Sequence, residues 1–287
     1  MMKKFSFQAV LIISLITLLF SRDGFAQHKP LVVFVTGDHE YSSELTMPQL
    51  AAELEKNYAV RTKVLLASPD HNGEENIPGL EVLKQADLAV FYLRWRRLPA
   101  EQLAHIEAYL QRGKPLIGFR TTTHAFNFPK GHPSEPWNAF AERAFAAPPG
   151  WGGAAGHTHY GHESQTRVTF DSKQVDHPLL KGVATSFEVP SWLYHVLPQY
   201  PLPAATRLLW GKAVGNISGQ PQENPVAWSW VTAQGAKSFM TTLGHPEDFY
   251  DPSFQRLLVN AVQWCLDRPT DDWKGPFKIG VPYDTHP

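Results

Sequence analysis

Four short stretches within the first 120 residues constrain the fold most: LVVFV at 31–35, TKVLLA at 62–67, DLAVFYL at 87–93 and PLIGF at 115–119. A strand that alternates apolar and polar residues rests one face on a core. A run that is apolar throughout, such as LVVFV, has no face to give to water and must be covered on both sides. The segments between these runs carry a different period. Met47, Leu50, Ala51 and Leu54 recur at i, i+3, i+4 and i+7, the spacing of one helix face. A short helix is expected around Leu80 and Leu83, and Pro99 opens another that bears Leu103, Ile106 and Leu110, with Gly113 placed for a C-terminal cap. Strands joined through helices pair in parallel, because a parallel neighbour needs a crossover connection. The expected fold is therefore α/β and doubly wound, with a mostly parallel sheet and helices on both faces.

From residue 165 onward the pattern changes. TRVTF, SFEVPSWLYHV, TRLLWG, NPVAWSWV and AKSFMTTL are strand-like with few helices between them, and they predict extra mixed or antiparallel strands in the C-terminal half. A last helix fits Phe254, Leu257, Leu258, Ala261 and Cys265, and the tail after Arg268 is rich in proline and charge. With 43% apolar and 12% aromatic residues, a chain of 287 can fill one large core. No repeat or low-complexity linker divides residues 27–287, so a single domain is expected there.

Residues 1–26 stand apart. Lys3 and Lys4 precede an apolar run from Ala9 to Phe20, and Gly24-Phe25-Ala26 supplies small residues at a cleavage spacing. This pattern is that of a secretory signal peptide, since the run is shorter than the ~20 residues a spanning helix needs. A secreted or periplasmic protein with no membrane association after cleavage is the expectation. The formal charge is −1, which offers nothing to attract a nucleic acid over the whole surface. Cys265 is the one cysteine, so no internal disulfide can form and packing must supply stability.

In an open parallel sheet, ligands collect beyond the carboxyl ends of the strands. That rule selects TGDHEYSSE, RWRRLP, RTTTHAF and GHPEDFYD. The third places Arg120, Thr121, Thr122, Thr123 and His124 at one strand end, either as a helix cap with an internally paired arginine or as a site for an oxygen-rich ligand. In the first, Asp38, His39, Glu40 and Tyr41 offer acid, imidazole, acid and phenol just after the strand, although Asp38 also fits an Asx turn. Arg94 and Arg97, with Trp95 between them, read either as a basic and aromatic wall or as a solvated face. HTHYGHE offers His157, His159 and His162 to a divalent metal such as zinc, with Glu163 as an oxygen partner and His39 or His124 as a remote ligand, although the flanking PPGWGGAAG equally suits a loop that binds nothing. DHPLLKGV reads as a turn into packed structure. Trp192, Trp210, Trp228, Trp230 and Trp264 read mostly as core, whereas Trp137 and Trp151, beside glycine and proline loops, are candidates for stacking on a ligand.

TGDHEYSSE, RWRRLP, GFRTTTHAF, DHPLLKGV and TTLGHPEDFYDPSFQRLLVNAVQW, in that order, resemble the ThuA-like, trehalose-utilisation family. The resemblance implies the class I glutamine amidotransferase-like (flavodoxin-like) fold. In class I amidotransferases a strand rises into a tight turn that carries a nucleophilic cysteine, with base and carboxylate later in a His-Pro-Glu motif. His245, Pro246 and Glu247 match the second element, but the turn reads Gly118-Phe119-Arg120-Thr121-Thr122. A guanidinium cannot attack a carbonyl, so glutaminase chemistry is not expected, and a threonine substitute would have to work beside Thr122, where an elbow normally needs a small residue. Gly244-His245-Pro246 can also be read as a plain turn into the last helix, with Glu247 and Asp248 favoured at its N-terminus.

Two functions fit. In one, the chain processes a sugar or keto-sugar, as the resemblance implies: Arg120 and the threonines bind oxygens, His39, His124 or His245 moves a proton, and Tyr41, Arg94, Trp95, Thr121, Thr123 and Glu247 hold the substrate. Isomerisation, epimerisation and hydrolysis are all compatible with that site, with or without a metal. In the other, a degenerate amidotransferase-like site binds a sugar or other ligand without turnover.

Overall fold

The computed structural model describes residues 29–151, 157–196, 200–217, 219–220 and 223–283. The expected signal peptide lies outside these residues. No helix among them is long and apolar enough to cross a membrane.

The elements are β1 (Leu31–Gly37), α1 (Ser43–Asn57), β2 (Arg61–Leu65), β3 (Leu88–Leu93), α2 (Ala100–Gln111), β4 (Leu116–Phe119), α3 (Phe140–Phe145), β5 (Thr158–His159), β6 (Ser164–Phe170), β7 (Ser186–Val189), β8 (Tyr194–His195), β9 (Thr206–Gly215), β10 (Glu223–Val231), β11 (Lys237–Thr241) and α4 (Pro252–Cys265). The short helix expected around Leu80 and Leu83 is a 3-10 turn, Leu80–Gln85. Nine strands form one sheet in the order β2-β1-β3-β4-β11-β10-β9-β6-β7, and β5 pairs with β8 separately.

The sheet corrects one expectation. Strands β2, β1, β3, β4 and β11 pair in parallel, but every pair from β11 outward to β7 is antiparallel. It is thus a large mixed sheet with few helices rather than a mostly parallel one. The physical reason is connection length. Between β10 and β11 only residues 232–236 intervene, closed by the Thr232 N–H donating to Ala236 O at 2.9 Å with Gly235 at φ 78°. A turn of that size can only reverse the chain.

Alternate side chains of the central strands enter two separate clusters, as the pleat requires. Val32, Phe34, Val90 and Tyr92 pack with Met47, Leu50 and Leu54 of α1 and Leu257 and Leu258 of α4. Val33, Val35, Ala89 and Phe91 pack with Leu103 and Ile106 of α2 and Phe140 and Phe145 of α3. Burial on both sides is why these runs carry no polar alternation. Each large side chain so buried contributes about 1.5–3 kcal/mol.

Gly118 of β4 shows how tightly the second cluster closes. A Cβ there would lie 2.5 Å from Met240 Sδ and 2.9 Å from Phe145 Cζ. Gly118→Ala is expected to destabilise by about 1–3 kcal/mol through overpacking. In urea unfolding this appears as a lower midpoint with an unchanged m-value.

Candidate functional site

Because β1, β3, β4 and β11 are parallel neighbours, their carboxyl ends share one edge, and the four polar loops meet there. After β1, the Asp38 carboxylate accepts the N–H groups of Glu40 (2.9 Å), Tyr41 (2.5 Å) and Ser43 (3.0 Å), the Asx turn read from sequence. Three non-glycine residues of these loops adopt left-handed backbone: Ser42 (φ 52°), Trp95 (φ 54°) and Arg120 (φ 38°). Each costs about 1–2 kcal/mol. The tight turn after β4 is therefore built, with an arginine at its bend.

Arg120 is wholly buried. Its Nη1 donates to Ser191 Oγ (3.1 Å), Thr242 O (3.0 Å) and Trp192 O (3.4 Å), and its Nη2 to Tyr41 Oη (3.0 Å). The guanidinium also lies 4.1 Å from the Tyr41 ring centre and 4.9 Å from that of Tyr194. No carboxylate among the described residues comes within ion-pairing distance of it. Its counter-charge is Asp248, reached through one hydroxyl: Ser191 Oγ donates to Asp248 Oδ2, which also accepts the N–H groups of Gly244 (2.8 Å) and His245 (3.1 Å). Ser191 N donates to Oδ1 at 2.9 Å. Burial pushes the Asp248 carboxyl up to about 6, against the hydrogen bonds that favour its charged form.

His245 caps the 3-10 turn Pro246–Tyr250, and its Nδ1 accepts the Glu247 N–H at 3.3 Å. The turn reading of this stretch is therefore correct locally. Accepting at Nδ1 also fixes the neutral tautomer, with the proton on Nε2. Burial, aided by Arg120, holds the imidazole down at about 3.

The loops after β1 and β3 form an adjoining group. Both ring nitrogens of His39 face guanidinium donors, Arg94 Nη1 at 3.0 Å and Arg96 Nη2 at 2.9 Å. A protonated imidazole would have no lone pair for either. Burial, then Arg96 and Arg94, lower its pKa. Arg94 also pairs with Glu40 (2.8 Å) and stacks on Trp95, 3.5 Å from the ring centre. Arg97 instead turns outward to Glu74 (2.7 Å), and the wholly buried Arg96 takes its expected place in the wall. The His124 ring stacks on Trp151 (4.7 Å), sits 6.0 Å from Trp95, and has Nδ1 3.0 Å from Thr123 Oγ1. Burial first, then Arg94, Arg120 and His157, keeps it well below an ordinary histidine. Thr121 and Thr123 are buried as well.

The HTHYGHE histidines separate. His159 and His162 lie 4.6 Å apart between ring centres, both against Trp192, and burial followed by His162 lowers His159 to about 4. His157 faces Tyr200, with Nδ1 3.2 Å from the hydroxyl. Among the described residues no three His, Cys, Asp or Glu side chains are grouped to hold a metal.

Glu40, His162, Glu163, Trp192, His245, Glu247 and Tyr283 line a cleft of about 590 Å³ over this edge, inside the roughly 300–1,000 Å³ of small-molecule sites. The structure thus brings Tyr41, Arg120, His245 and Glu247 to one place and His39, Arg94, Trp95 and His124 to the next, with Glu40 joining them through Arg94 and the Tyr41 hydroxyl (3.2 Å). Trp151 joins the His124 group, whereas Trp137 packs on Phe126 and Phe140. Among the tryptophans expected in the core, Trp228 and Trp192 are both buried there, and Trp192 also lines the cleft.

Sequence reasoning missed Ser191, Asp248, Arg96 and Tyr283. Two signals were available. Pro190 breaks SFEVPSWLYHV, since proline cannot continue a ladder, and β7 ends at Val189, which frees Ser191 and Trp192 to reach the edge. With His245 as cap, Asp248 stands three residues later, the position that returns a side chain to the cap N–H.

Residues 32–265 match the ThuA family profile, described as trehalose utilisation. Among solved structures, a ThuA-like protein from Parabacteroides merdae ATCC 43184 aligns with TM-score 0.63 and 16% identity over 88% of this chain and 95% of the other. A second ThuA-like protein, from Bacteroides uniformis ATCC 8492, aligns with TM-score 0.54 and 17% identity over 84% and 94%. At such identities the likeness is one of fold. No curated protein matches the chain. Since the profile spans most of its length and ends at the last helix, the chain belongs to the ThuA, trehalose-utilisation family.

Proposed function

We propose that this chain is an exported protein of carbohydrate catabolism that performs acid/base chemistry on a sugar or keto-sugar, without a covalent nucleophile and without glutaminase activity. The observation that carries this reading is His245, an imidazole on the cleft wall held neutral with its proton on Nε2. A neutral N–H donor can polarise a carbonyl without first losing a proton to it. In a 3-keto-sugar the carbon beside the carbonyl then gives its proton to a cleft carboxylate, Glu40 or Glu247, while the electron pair moves to the carbonyl oxygen against His245. Delivery of a proton to the opposite face of that carbon, by the other carboxylate, completes an epimerisation; delivery to the former carbonyl carbon, while the neighbouring hydroxyl gives up its proton and becomes the new carbonyl, completes an isomerisation. Arg120 fixes the frame: it holds Tyr41, Ser191 and the backbone at Trp192 and Thr242 in place. The leader pattern at residues 1–26 supports action outside the cytoplasm.

The test combines the mature chain with trehalose and 3-ketotrehalose in deuterium oxide. The expected result is a raised melting temperature, which reports binding to the native state, and deuterium at the carbon beside the carbonyl. A shift in melting temperature without exchange favours a non-catalytic sugar-binding module. No shift with either sugar overturns the proposal.

A further inference from the structure

The segment after α4, residues 266–283, lies beyond the part of the chain that matches the family profile, and it returns to the candidate site. Its path is fixed at successive points. The Lys274 N–H donates to Tyr58 Oη at 2.8 Å. Gln255 of α4 exchanges two hydrogen bonds with the Phe277 backbone, at 2.7 and 3.0 Å. The Gly280 N–H donates to Gln49 Oε1 at 3.1 Å, and the Val281 N–H to Pro246 O at 3.4 Å. Phe277 and Ile279 are buried in the first core cluster. A segment held this way is ordered by packing as well as by hydrogen bonds, and its last anchor is the turn that His245 caps.

Two residues past that anchor, Tyr283 enters the cleft. Its ring centre is 4.5 Å from His245, 6.3 Å from Tyr41 in stacked geometry, and 5.8 Å from Trp192 at an interplanar angle of 82°. Trp192 and Tyr283 therefore make two walls nearly at right angles, with the His245 imidazole at their junction and Glu40 and Glu247 on the same cleft. His245 is only 3% exposed. An aromatic corner of this kind suits a pyranose: one ring stacks on the apolar C–H face, the other bounds its edge, and a hydroxyl remains to hydrogen-bond at the rim.

We propose that residues 266–283 form a strap that completes the cleft, with Tyr283 as a specificity-determining ring that covers His245 and stacks on a bound sugar. The second half of this inference rests on reading the cleft as a sugar site; the first half does not.

The experiment uses the mature full-length chain and its Tyr283→Ala and Tyr283→Phe variants. Diethyl pyrocarbonate acylates neutral imidazole, and His245 is the one histidine in the tryptic peptide 238–256, so mass spectrometry reads its accessibility directly. Labelling of His245 is expected to be several-fold faster in Tyr283→Ala and unchanged in Tyr283→Phe, each measured well below its own melting temperature, because the ring packs on His245, Tyr41 and Trp192. The dissociation constants of trehalose and 3-ketotrehalose are expected to rise about five- to tenfold in Tyr283→Ala, in line with the loss of one aromatic contact. Unchanged labelling of His245 overturns the strap as a cover, whatever the sugars do. Faster labelling with unchanged sugar affinity overturns Tyr283 as a specificity residue. Faster labelling in a protein that binds neither sugar in any form upholds the cover and overturns the sugar reading of the cleft instead.

Discussion

Arg120→Met is expected to cost about 3–5 kcal/mol of stability at pH 7, the range for removing one partner from a buried charge network. The substitution preserves much of the side-chain length but takes the cation away from Asp248, which stays buried with Ser191 and two backbone N–H groups as its remaining company. It also strips donors from Tyr41 Oη and from the carbonyls of Thr242 and Trp192. Two further results separate this account from simple loss of packing. Asp248→Asn in the Arg120→Met background should cost much less than in the wild type, because the charge that needed the guanidinium is gone; a double-mutant cycle by urea unfolding measures that coupling. Arg120 lowers the Asp248 pKa, so in the variant the carboxyl takes up its proton at a higher pH than in the wild type, and the penalty of Arg120→Met should shrink as pH falls toward about 6 and level off below it. A penalty that is the same at pH 5 and pH 8 would mean that charge plays no part.

The second large effect belongs to His245. Its folded pKa, about 3, lies below that of a free imidazole, so from pH 6.5 downward the unfolded chain binds a proton that the folded one refuses. Stability is therefore full above pH 6.5 and falls as the pH drops toward 3, by on the order of 4 kcal/mol from this group alone. Asp248 works the other way. Its folded pKa is raised, so the folded chain binds the extra proton between about pH 6 and 4, and stability rises there as pH falls. His159, lowered to about 4, adds to the loss. His245→Asn removes one proton from the balance, so the slope of stability against pH below 6.5 should be less steep by about 1.4 kcal/mol per unit. The same variant should lower turnover of a keto-sugar by about 10²- to 10³-fold, as expected for the loss of one donor to a developing oxyanion. Acid-unfolding curves and single-turnover kinetics on the one variant test both halves.

What the sequence revealed of this fold follows from which interactions are local. LVVFV and DLAVFYL could be assigned as buried strands because every residue in them is covered, and the loops after them fall at the sheet edge by topology alone. The antiparallel half was visible as strands but not as a sheet order, since hairpin pairing depends on partners that no single run specifies. Within the candidate site, Arg120 and His124 drew attention as polar residues at a strand end, and His39, Tyr41 and His245 through the family resemblance as well. Ser191 and Asp248 were not, because their importance lies in a contact across 57 positions of chain. Glu247 drew attention through the His-Pro-Glu pattern, while the cap geometry gives the buried role to its neighbour. Tyr283 lay in a stretch whose proline and charge suggested only a tail, and nothing in its composition announces that Gln49, Gln255 and Pro246 hold that stretch against the cleft.

The most direct test of a sugar site organised around a neutral imidazole is a crystal structure with 3-ketotrehalose bound. The keto-sugar ring is expected in the corner between Trp192 and Tyr283, with its carbonyl oxygen about 3 Å from His245 Nε2. A sugar bound at another face of the sheet, or one in the cleft with its carbonyl turned away from His245, would contradict the account.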